Sequence, residues 1–160
     1  MRELKIKPVQ ESDGEWIAAL LKECWGSTRM VVKGRVLSAD KLPGFVALSG
    51  GERVGLLTYR IDGGQCEIVT LNSLLEKRGV GSALLAAVRS TAVEGGCSRL
   101  WLITTNDNTA ALRFYQKRGF LLAAVHLNAL EQSRKLKPEI PEVGIEGIPL
   151  RDEIELEMNL

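Results

Sequence analysis

The feature that most restricts the fold is a glycine turn between a strand-like run and a helix-like run. Residues 66–71 read as a strand, Glu76-Lys77-Arg78-Gly79-Val80-Gly81-Ser82 follows, and apolar residues from Leu84 onward recur at helical spacing. Glycines allow a tight turn, and the first N–H groups of a helix lack intrahelical partners and attract anions. The sequence therefore predicts a phosphate-binding corner in an α/β protein.

Two familiar glycine loops are excluded at this corner. A P-loop needs Gly, four residues and then Gly-Lys-Ser/Thr, a string that the sequence lacks. The dinucleotide fingerprint needs a third glycine where Leu84 stands. What remains has the form Arg/Gln-x-x-Gly-x-Gly with Glu76 at its first position, and taken alone it fits a simple tight turn equally well.

Composition narrows the class of protein. With 160 residues, 45% of them apolar and 26% charged, we expect one soluble domain spanning residues 1–160. A net charge of +1 argues against a nucleic-acid surface. Three cysteines without a close pair suggest reduced thiols in the cytoplasm, and a single histidine, His126, argues against a metal site. No stretch is long enough to span a membrane, so we expect no membrane partner.

The periodicity predicts a mixed order of elements. Before the corner, the expected elements are a strand at Leu4–Pro8, a helix opened by the capping box Ser12-x-x-Glu15, a loop with one short helix over 25–43, and a hairpin over 45–59. After it, they are a buried, parallel strand at 99–104, a helix capped by Asp107 or Asn108, a strand at 120–125, a helix at 129–136, a loop at 137–150, and a strand at 154–158. In that last strand, Glu153, Glu155 and Glu157 are expected to form a solvated face.

A second motif gives the corner a specific meaning. The stretch from Asn108 to Phe120 has the form Asn-x-x-Ala-x-x-x-Tyr-x-x-x-Gly-Phe. Together with the corner at 76–81 upstream, it resembles the GNAT superfamily of N-acetyltransferases, over about residues 44–127. Glu76 is the one departure, because the family has Gln or Arg at that position. We expect its carboxylate to face Lys77, Arg78 or solvent, since it would repel a diphosphate.

The resemblance implies a fold and a cofactor. The fold is a central mixed sheet of about six to seven strands, flanked by helices, in which the parallel central strands 66–71 and 99–105 splay apart. The cofactor is acetyl-CoA, with a possible homodimer as the assembly. The strand before the corner is bulged in the family and offers main-chain groups to the pantetheine arm. The implied cofactor-binding residues are Val69, Leu71, Arg78, Gly79, Val80, Gly81, Ser82, Asn106 and Asn108; for the two asparagines, helix capping is an equal alternative.

The resemblance also implies acetyl transfer to a primary amine. An amine attacks a thioester only when neutral, although its reference pKa is about 10.4. Tyr115 matches the family's tyrosine that protonates the leaving sulfur, with core packing as the alternative role. Glu67 is the candidate base, directly or through a water, with a salt-bridged acid as the alternative. Strand alternation is expected to place Glu67, Val69 and Leu71 on one face.

Three functions remain open from the sequence. The main hypothesis is an N-acetyltransferase that moves the acetyl group directly to a small-molecule or peptide amine in a ternary complex. The alternatives are a non-catalytic acyl-CoA-binding module and an enzyme that modifies a partner protein. Cys66 is expected to be a small buried residue rather than a nucleophile, because no histidine pattern lies near it.

Overall fold

The computed structural model describes residues 3–160, which form nine strands and four α-helices. The strands are β1 (Leu4–Pro8), β2 (Arg29–Val32), β3 (Arg35–Ser38), β4 (Gly44–Ser49), β5 (Glu52–Asp62), β6 (Gln65–Ser73), β7 (Arg99–Thr105), β8 (Leu121–His126) and β9 (Glu153–Asn159). The helices are α1 (Gly14–Trp25), α2 (Val80–Glu94), α3 (Thr109–Lys117) and α4 (Ala129–Leu136). Strands and helices follow each other in a mixed α/β order, so the predicted fold class is confirmed.

The described residues divide into two compact units. The first comprises residues up to Arg29, Ser38–Leu100 and Leu160, and the second comprises Met30–Leu37 and Trp101–Asn159. That residues 1–160 make a single domain stays a prediction. Among residues 3–160, no helix combines the length and the apolarity needed to cross a bilayer.

In the first unit, four strands pair in the order β1-β4-β5-β6, and each neighbouring pair is antiparallel. The predicted hairpin therefore forms, with β4 against β5. Helix α2 packs closely on this sheet at Gly55, where an added Cβ would lie 2.5 Å from Val80 Cγ1 and 3.1 Å from Leu84 Cδ1. Only glycine allows this approach of the helix that begins at the corner.

The helix predicted from Ser12-x-x-Glu15 exists, but its capping box is wrong. The carboxylate that acts before the helix belongs to Asp13, whose Oδ2 accepts a hydrogen bond from Gln10 N–H at 2.8 Å. Asp13 is fully buried, and its Oδ1 lies 3.0 Å from Arg53 Nε on β5. The capping box therefore lies at Gln10-x-x-Asp13 instead of Ser12-x-x-Glu15, and Arg53, 40 residues later, also holds its acid.

The prediction over 25–43 is confirmed only in part: a short 3₁₀ helix forms at Ala39–Lys41, but β2 and β3 form a two-stranded hairpin where a loop was predicted. Its turn is Lys33-Gly34, with φ values of +51° and +72°. Positive φ at both central residues is the geometry that matches the twist of paired strands. The Lys-Gly dipeptide between Val32 and Arg35 was the signal that the sequence interpretation missed.

In the second unit, β8 pairs antiparallel with β9, with Leu122 opposite Leu156 and His126 opposite Glu153. The unit's strand order is β7-β9-β8, β7 contributing Trp101–Thr105. The helices α3 and α4 match their predicted positions. Segment 137–150 has no strand or α-helix, but a bridge between Val143 and Pro149 closes it into a loop.

Candidate active site in two units

The strand that leads to the corner carries a β-bulge. Thr58 pairs with Thr70 and Tyr59 pairs with Ile68, so Val69 is the extra residue of β6. The pairing matches the bulge that the resemblance implied for this strand. Val69 and Leu71 are both half-buried at and just beyond it. Their role as cofactor-binding residues stays a prediction.

The bulge overturns the expectation that Glu67, Val69 and Leu71 share one face. Glu67 is paired with Arg60, and Leu71 is paired with Leu57. Along β5, residues 57 and 60 point to opposite faces because their separation is odd. An extra residue in a strand reverses the alternation beyond it, so Glu67 and Leu71 lie on opposite faces of the sheet.

Glu67 occupies a buried position in the first unit. It is 2% exposed, and its Oε1 lies 3.8 Å from Arg60 Nη1 on the paired strand. On the same face, the hydroxyl groups of Thr58 and Thr70 are 2.6 Å apart and hydrogen bonded. The alternative role of a salt-bridged acid is therefore what the described contacts show, and the catalytic role stays a prediction.

The corner itself has the geometry of an anion seat. Gly79 precedes α2 with φ +74°, and Lys77 also has positive φ at +57°. Around Gly79, no described atom lies within 4 Å of where a Cβ would be, so the backbone angle rather than space requires glycine. The first turn of α2, described throughout, has no acidic residue and no side-chain cap from Gly79. The positive end of the helix dipole is therefore not neutralised by an acidic side chain in the first turn, which favours an anion there.

The charged side chains at the corner are exposed. Arg78 and Ser82 lie at the surface, whereas Val80 and Gly81 are buried and anchor the helix. Glu76 is also exposed, as expected for a carboxylate that would otherwise repel a diphosphate. These features fit the pyrophosphate of CoA: open backbone, a helix N-terminus and one nearby guanidinium group.

In the second unit, Asn106 fastens the end of β7 to residues 149–152. Its Nδ2 donates to the Pro149 carbonyl at 2.9 Å, and its Oδ1 accepts from the N–H groups of Arg151 and Asp152, both at 3.0 Å. Asn106 is thus a structural clamp. Its predicted contact with the cofactor stays untested.

Asp107 is a structural residue that the sequence interpretation considered only as a helix cap. It is 5% exposed, and its Oδ2 accepts a hydrogen bond from Ile145 N–H at 2.9 Å. Its Oδ1 accepts from Thr105 Oγ1. Asp107 therefore holds segment 137–150, and no local pattern links it to residue 145. The neighbouring Asn108 supplies the cap, because its Oδ1 accepts from Ala111 N–H at 3.2 Å.

Helix α3, begun by that cap, buries Tyr115. The side chain is 7% exposed, and its ring makes edge contacts with Phe114 and Phe120 at centroid distances of 5.2 and 5.4 Å. Burial raises the pKa of the Tyr115 phenol above its usual value of about 10, so the group stays protonated at neutral pH. Tyr115 is thus a core residue whose phenol is protonated at neutral pH.

The acidic residues of β9 are not solvated as predicted. Glu153 is 3% exposed and Glu155 is 8% exposed. The β2–β3 turn supplies their partners: Lys33 N–H donates to Glu153 Oε1 at 3.2 Å, and Lys33 Nζ lies 3.2 Å from Glu155 Oε1. His126 Nε2 is 3.0 Å from the same Glu155 oxygen. A hairpin from a distant part of the sequence covers this face, so alternation alone predicted the wrong environment.

The predicted site residues thus form two groups. Glu67, Val69, Leu71 and residues 78–82 lie on β6, α2 and the turn between them, in the first unit. Asn106, Asn108 and Tyr115 lie on the end of β7 and on α3, in the second. The first group thus surrounds the glycine corner, and the second surrounds the helix that Asn108 caps.

A mixed α/β fold with a bulged strand, an open glycine corner and a capped tyrosine helix defines a protein of the acyl-CoA-dependent transferase class. The model described as "Acetyltransferase (GNAT) family" matches residues 11–120, well over half of the chain. The chain belongs to this family. It is an acetyltransferase, and its cofactor is acetyl-CoA, which supplies the acetyl group as a thioester.

Individual proteins are similar to this chain over nearly its whole length. The chain is 50% identical over 150 residues to the uncharacterized protein YdhI of Bacillus subtilis, covering 93% of this chain and 94% of YdhI. An IAA acetyltransferase from Bacillus cereus superposes with a TM-score of 0.78 at 26% identity, covering 99% of this chain and all of the other. A GNAT acetyltransferase from Elizabethkingia anophelis with acetyl-CoA bound shares the fold, with a TM-score of 0.69 at 22% identity and 98% coverage of both chains.

Proposed function

We propose that this chain is an N-acetyltransferase that passes the acetyl group of acetyl-CoA directly to a primary amine, with both substrates bound together. The observation that carries direct transfer is the burial of Cys66, the cysteine on the strand that leads to the corner. Cys66 is fully buried, and its burial together with the nearby Cys97 and Glu67 raises the pKa of its thiol to about 12. A protonated thiol is a poor nucleophile, so an acetyl-cysteine on Cys66 is disfavoured.

The corner supports the proposed binding of the cofactor. The amides at the start of α2, from Arg78 to Ser82, would hold the pyrophosphate, and the Arg78 side chain would add a positive charge. Main-chain groups at the Val69 bulge and at Leu71 would hold the pantetheine arm. Asn106 and Asn108 would act at the second unit's edge, chiefly through the backbone that they hold in place.

Tyr115 is the proposed proton donor to the leaving sulfur. Its raised phenol pKa makes it a weaker acid than a free tyrosine, which opposes proton transfer. Desolvation also raises the pKa of a thiol that leaves in a similarly dry environment, so the difference between the two groups decides the direction. Positioning of the donor supplies the remaining driving force.

Glu67 is the proposed base that removes a proton from the attacking amine, directly or through a water. Its burial excludes bulk solvent from the carboxylate, and the Arg60 guanidinium on the paired strand fixes the side chain at 3.8 Å. A base of this type is worth about 10²–10⁴ in rate. The proposed acceptor is a small-molecule or peptide amine, and the free cysteines are consistent with a cytoplasmic protein. The proposed assembly is a homodimer.

A screen for CoA release tests this function. The protein is incubated with acetyl-CoA and amines, amino acids, polyamines or peptides, and the free thiol is measured together with acetylated product by mass spectrometry. Equal amounts of CoA and acetylated amine are expected, with no acetyl group on the protein when the acceptor is omitted. Tight binding of acetyl-CoA without CoA release from any amine would instead indicate a non-catalytic acyl-CoA-binding module.

A further inference from the structure

A charged groove lies within the second unit, apart from the residues assigned above. Asn128, helix α4 and the segment 142–151 line this open groove, which has a volume of about 620 Å³. Its charged lining residues are Glu131, Arg134, Lys135, Glu142 and Arg151. A volume of this size admits a small molecule of metabolite size. The acetyl transfer proposed above gives no role to any of these side chains.

The walls of the groove are held in place by hydrogen bonds. Arg134 Nε donates to the Ile140 carbonyl at 3.4 Å, and its Nη2 donates to the carbonyls of Pro141, at 2.8 Å, and Leu150. On the opposite wall, Asn106 fixes the backbone of Arg151. A site built on such a scaffold loses little freedom when a ligand binds, which favours affinity.

The distribution of charge favours an anionic ligand. Three cations face two carboxylates in the lining. Lys135 is exposed and makes no ion pair with any of residues 3–160. The Glu142 side chain is 85% exposed, and it reaches Arg134 only at 3.9 Å, which makes it a weak competitor. Arg151 contacts Asp152 at 2.9 Å, yet its side chain is 59% exposed and accessible to a second anion.

We propose that this groove binds a small molecule through a carboxylate or phosphate group, held by Lys135 and Arg151. The guanidinium of Arg151 presents several N–H donors and can bind such a group while keeping its contact with Asp152. Lys135 adds a point charge from α4. Arg134, which also lines the groove, contributes further positive potential. This site does not depend on acetyl transfer.

Binding is measured first on the whole protein without acetyl-CoA. Inorganic phosphate and succinate are titrated separately into ¹⁵N-labelled protein, with neutral succinamide as the control ligand. We expect amide shifts at residues 134–135 and 150–151 for the anions and none for succinamide, with affinity that falls as salt is added. Each anion is titrated to about 50 mM, because exposed ion pairs are weak. If neither anion shifts the amides of this groove, the proposal is overturned.

Four variants make the test specific. Lys135→Gln and Arg151→Gln should each weaken anion binding about three- to tenfold, since each removes one charged hydrogen bond. Glu142→Gln should act in the opposite direction and strengthen binding about two- to threefold, because it removes a competing carboxylate. Lys22→Gln, an exposed lysine on α1, is the matched control and should bind as the wild type does. Equal affinities in all four would overturn the assignment even with folding intact.

The anionic group could belong to the acetyl acceptor or to a separate effector. Rates of acetyl transfer from acetyl-CoA to an amino acid and to its carboxamide distinguish these two sources. If the anion belongs to the acceptor, Lys135→Gln raises KM for the amino acid but not for the carboxamide. If it belongs to a separate effector, succinate or phosphate changes the rate with the carboxamide, and Lys135→Gln shifts that effect to about three- to tenfold higher concentrations. A wild-type protein that shows neither behaviour, although the groove binds anions, would contradict a functional role for the site.

Discussion

Asn106 and Asp152 are joined by two reciprocal hydrogen bonds. The Asn106 N–H donates to the Asp152 carbonyl at 3.0 Å, and the Asp152 N–H donates to Asn106 Oδ1 at 3.0 Å. The pair attaches the end of β7 to the start of β9. A side chain in the family-like stretch at 106–120 is thus committed to holding the backbone that begins the last strand.

Asn106→Ala is expected to lower the free energy of unfolding by about 1–3 kcal/mol, because it leaves the N–H groups of Arg151 and Asp152 without their acceptor. Amide hydrogen exchange at Arg151 and Asp152 should accelerate in parallel. Asn159→Ala, at an exposed asparagine that ends β9, is the control and should change little. If the variant instead lost affinity for acetyl-CoA with unchanged stability and exchange, direct contact with the cofactor would be the main role.

Tyr115→Phe separates proton donation from packing. Phenylalanine keeps the ring contacts with Phe114 and Phe120, so the melting temperature should change little. As the proposed acid, the phenol supplies about 10²–10⁴ in kcat, and that factor should be lost with acetyl-CoA affinity nearly intact. Tyr59→Phe, at the other tyrosine, is the matched control. Unchanged turnover in Tyr115→Phe would exclude the acid role.

The same phenol gives a pH dependence of stability. Its pKa is raised in the folded state above the value of about 10 in the unfolded chain. Its contribution is therefore fully present below pH 10 and is lost as the pH rises through the raised pKa, because only the unfolded chain ionises readily. Thermal unfolding between pH 9 and pH 11 should show a smaller loss of stability in Tyr115→Phe than in the wild type. Parallel curves would indicate an unburied phenol.

Arg78→Glu tests the anion seat. It reverses an exposed charge beside the start of α2, so it should weaken acetyl-CoA binding about tenfold in calorimetry, with an effect that diminishes at high salt. Arg89→Glu, at an exposed arginine farther along α2, carries the same change of net charge away from the corner. Equal affinity in the two variants would count against a phosphate seat beside Arg78.

Local sequence patterns predicted most of the helices and strands. Several of the wrong predictions concern residues whose contacts come from distant parts of the sequence. The corner, the hairpin over 45–59 and the tyrosine helix follow from turn residues, periodicity and an asparagine cap, which act over a few residues. The environment of Glu153 and Glu155 does not, because the Lys33 turn that covers them is more than 100 residues earlier in the sequence. The face of Leu71 was wrong because the extra residue at Val69 reversed a simple alternation.

The thiols should differ in reactivity. Cys24 is exposed, whereas Cys66 and Cys97 are buried. With a pKa of about 12, Cys66 has a thiolate fraction of about 10⁻⁴ at pH 8. Native protein should therefore react rapidly with a thiol reagent at one site, and the reaction should disappear in Cys24→Ser and reach all three thiols after unfolding. Rapid native labelling of Cys66 would contradict direct transfer and revive an acetyl-cysteine route.

Glu153→Gln is expected to stabilise the protein at neutral pH. Burial raises the pKa of Glu153, an effect that the Lys33 amide and the charges of His126, Lys33 and Arg35 oppose only in part. A raised carboxyl pKa stabilises the fold below the unfolded value of about 4.5, and this contribution is lost as the pH rises through the folded value. Glutamine keeps an acceptor for the Lys33 amide without a buried charge.

At pH 7.5 the melting temperature of Glu153→Gln should therefore exceed that of the wild type by about 2–4 °C, equivalent to about 1 kcal/mol. The gain should vanish below pH 4.5, where the wild-type carboxyl is neutral. Glu155→Gln is the contrasting variant: its carboxylate contacts both Lys33 and His126, so neutralising it should lower the melting temperature at pH 7.5. If the two substitutions destabilised the protein equally, Glu153 would be an ionised partner of the β2–β3 turn.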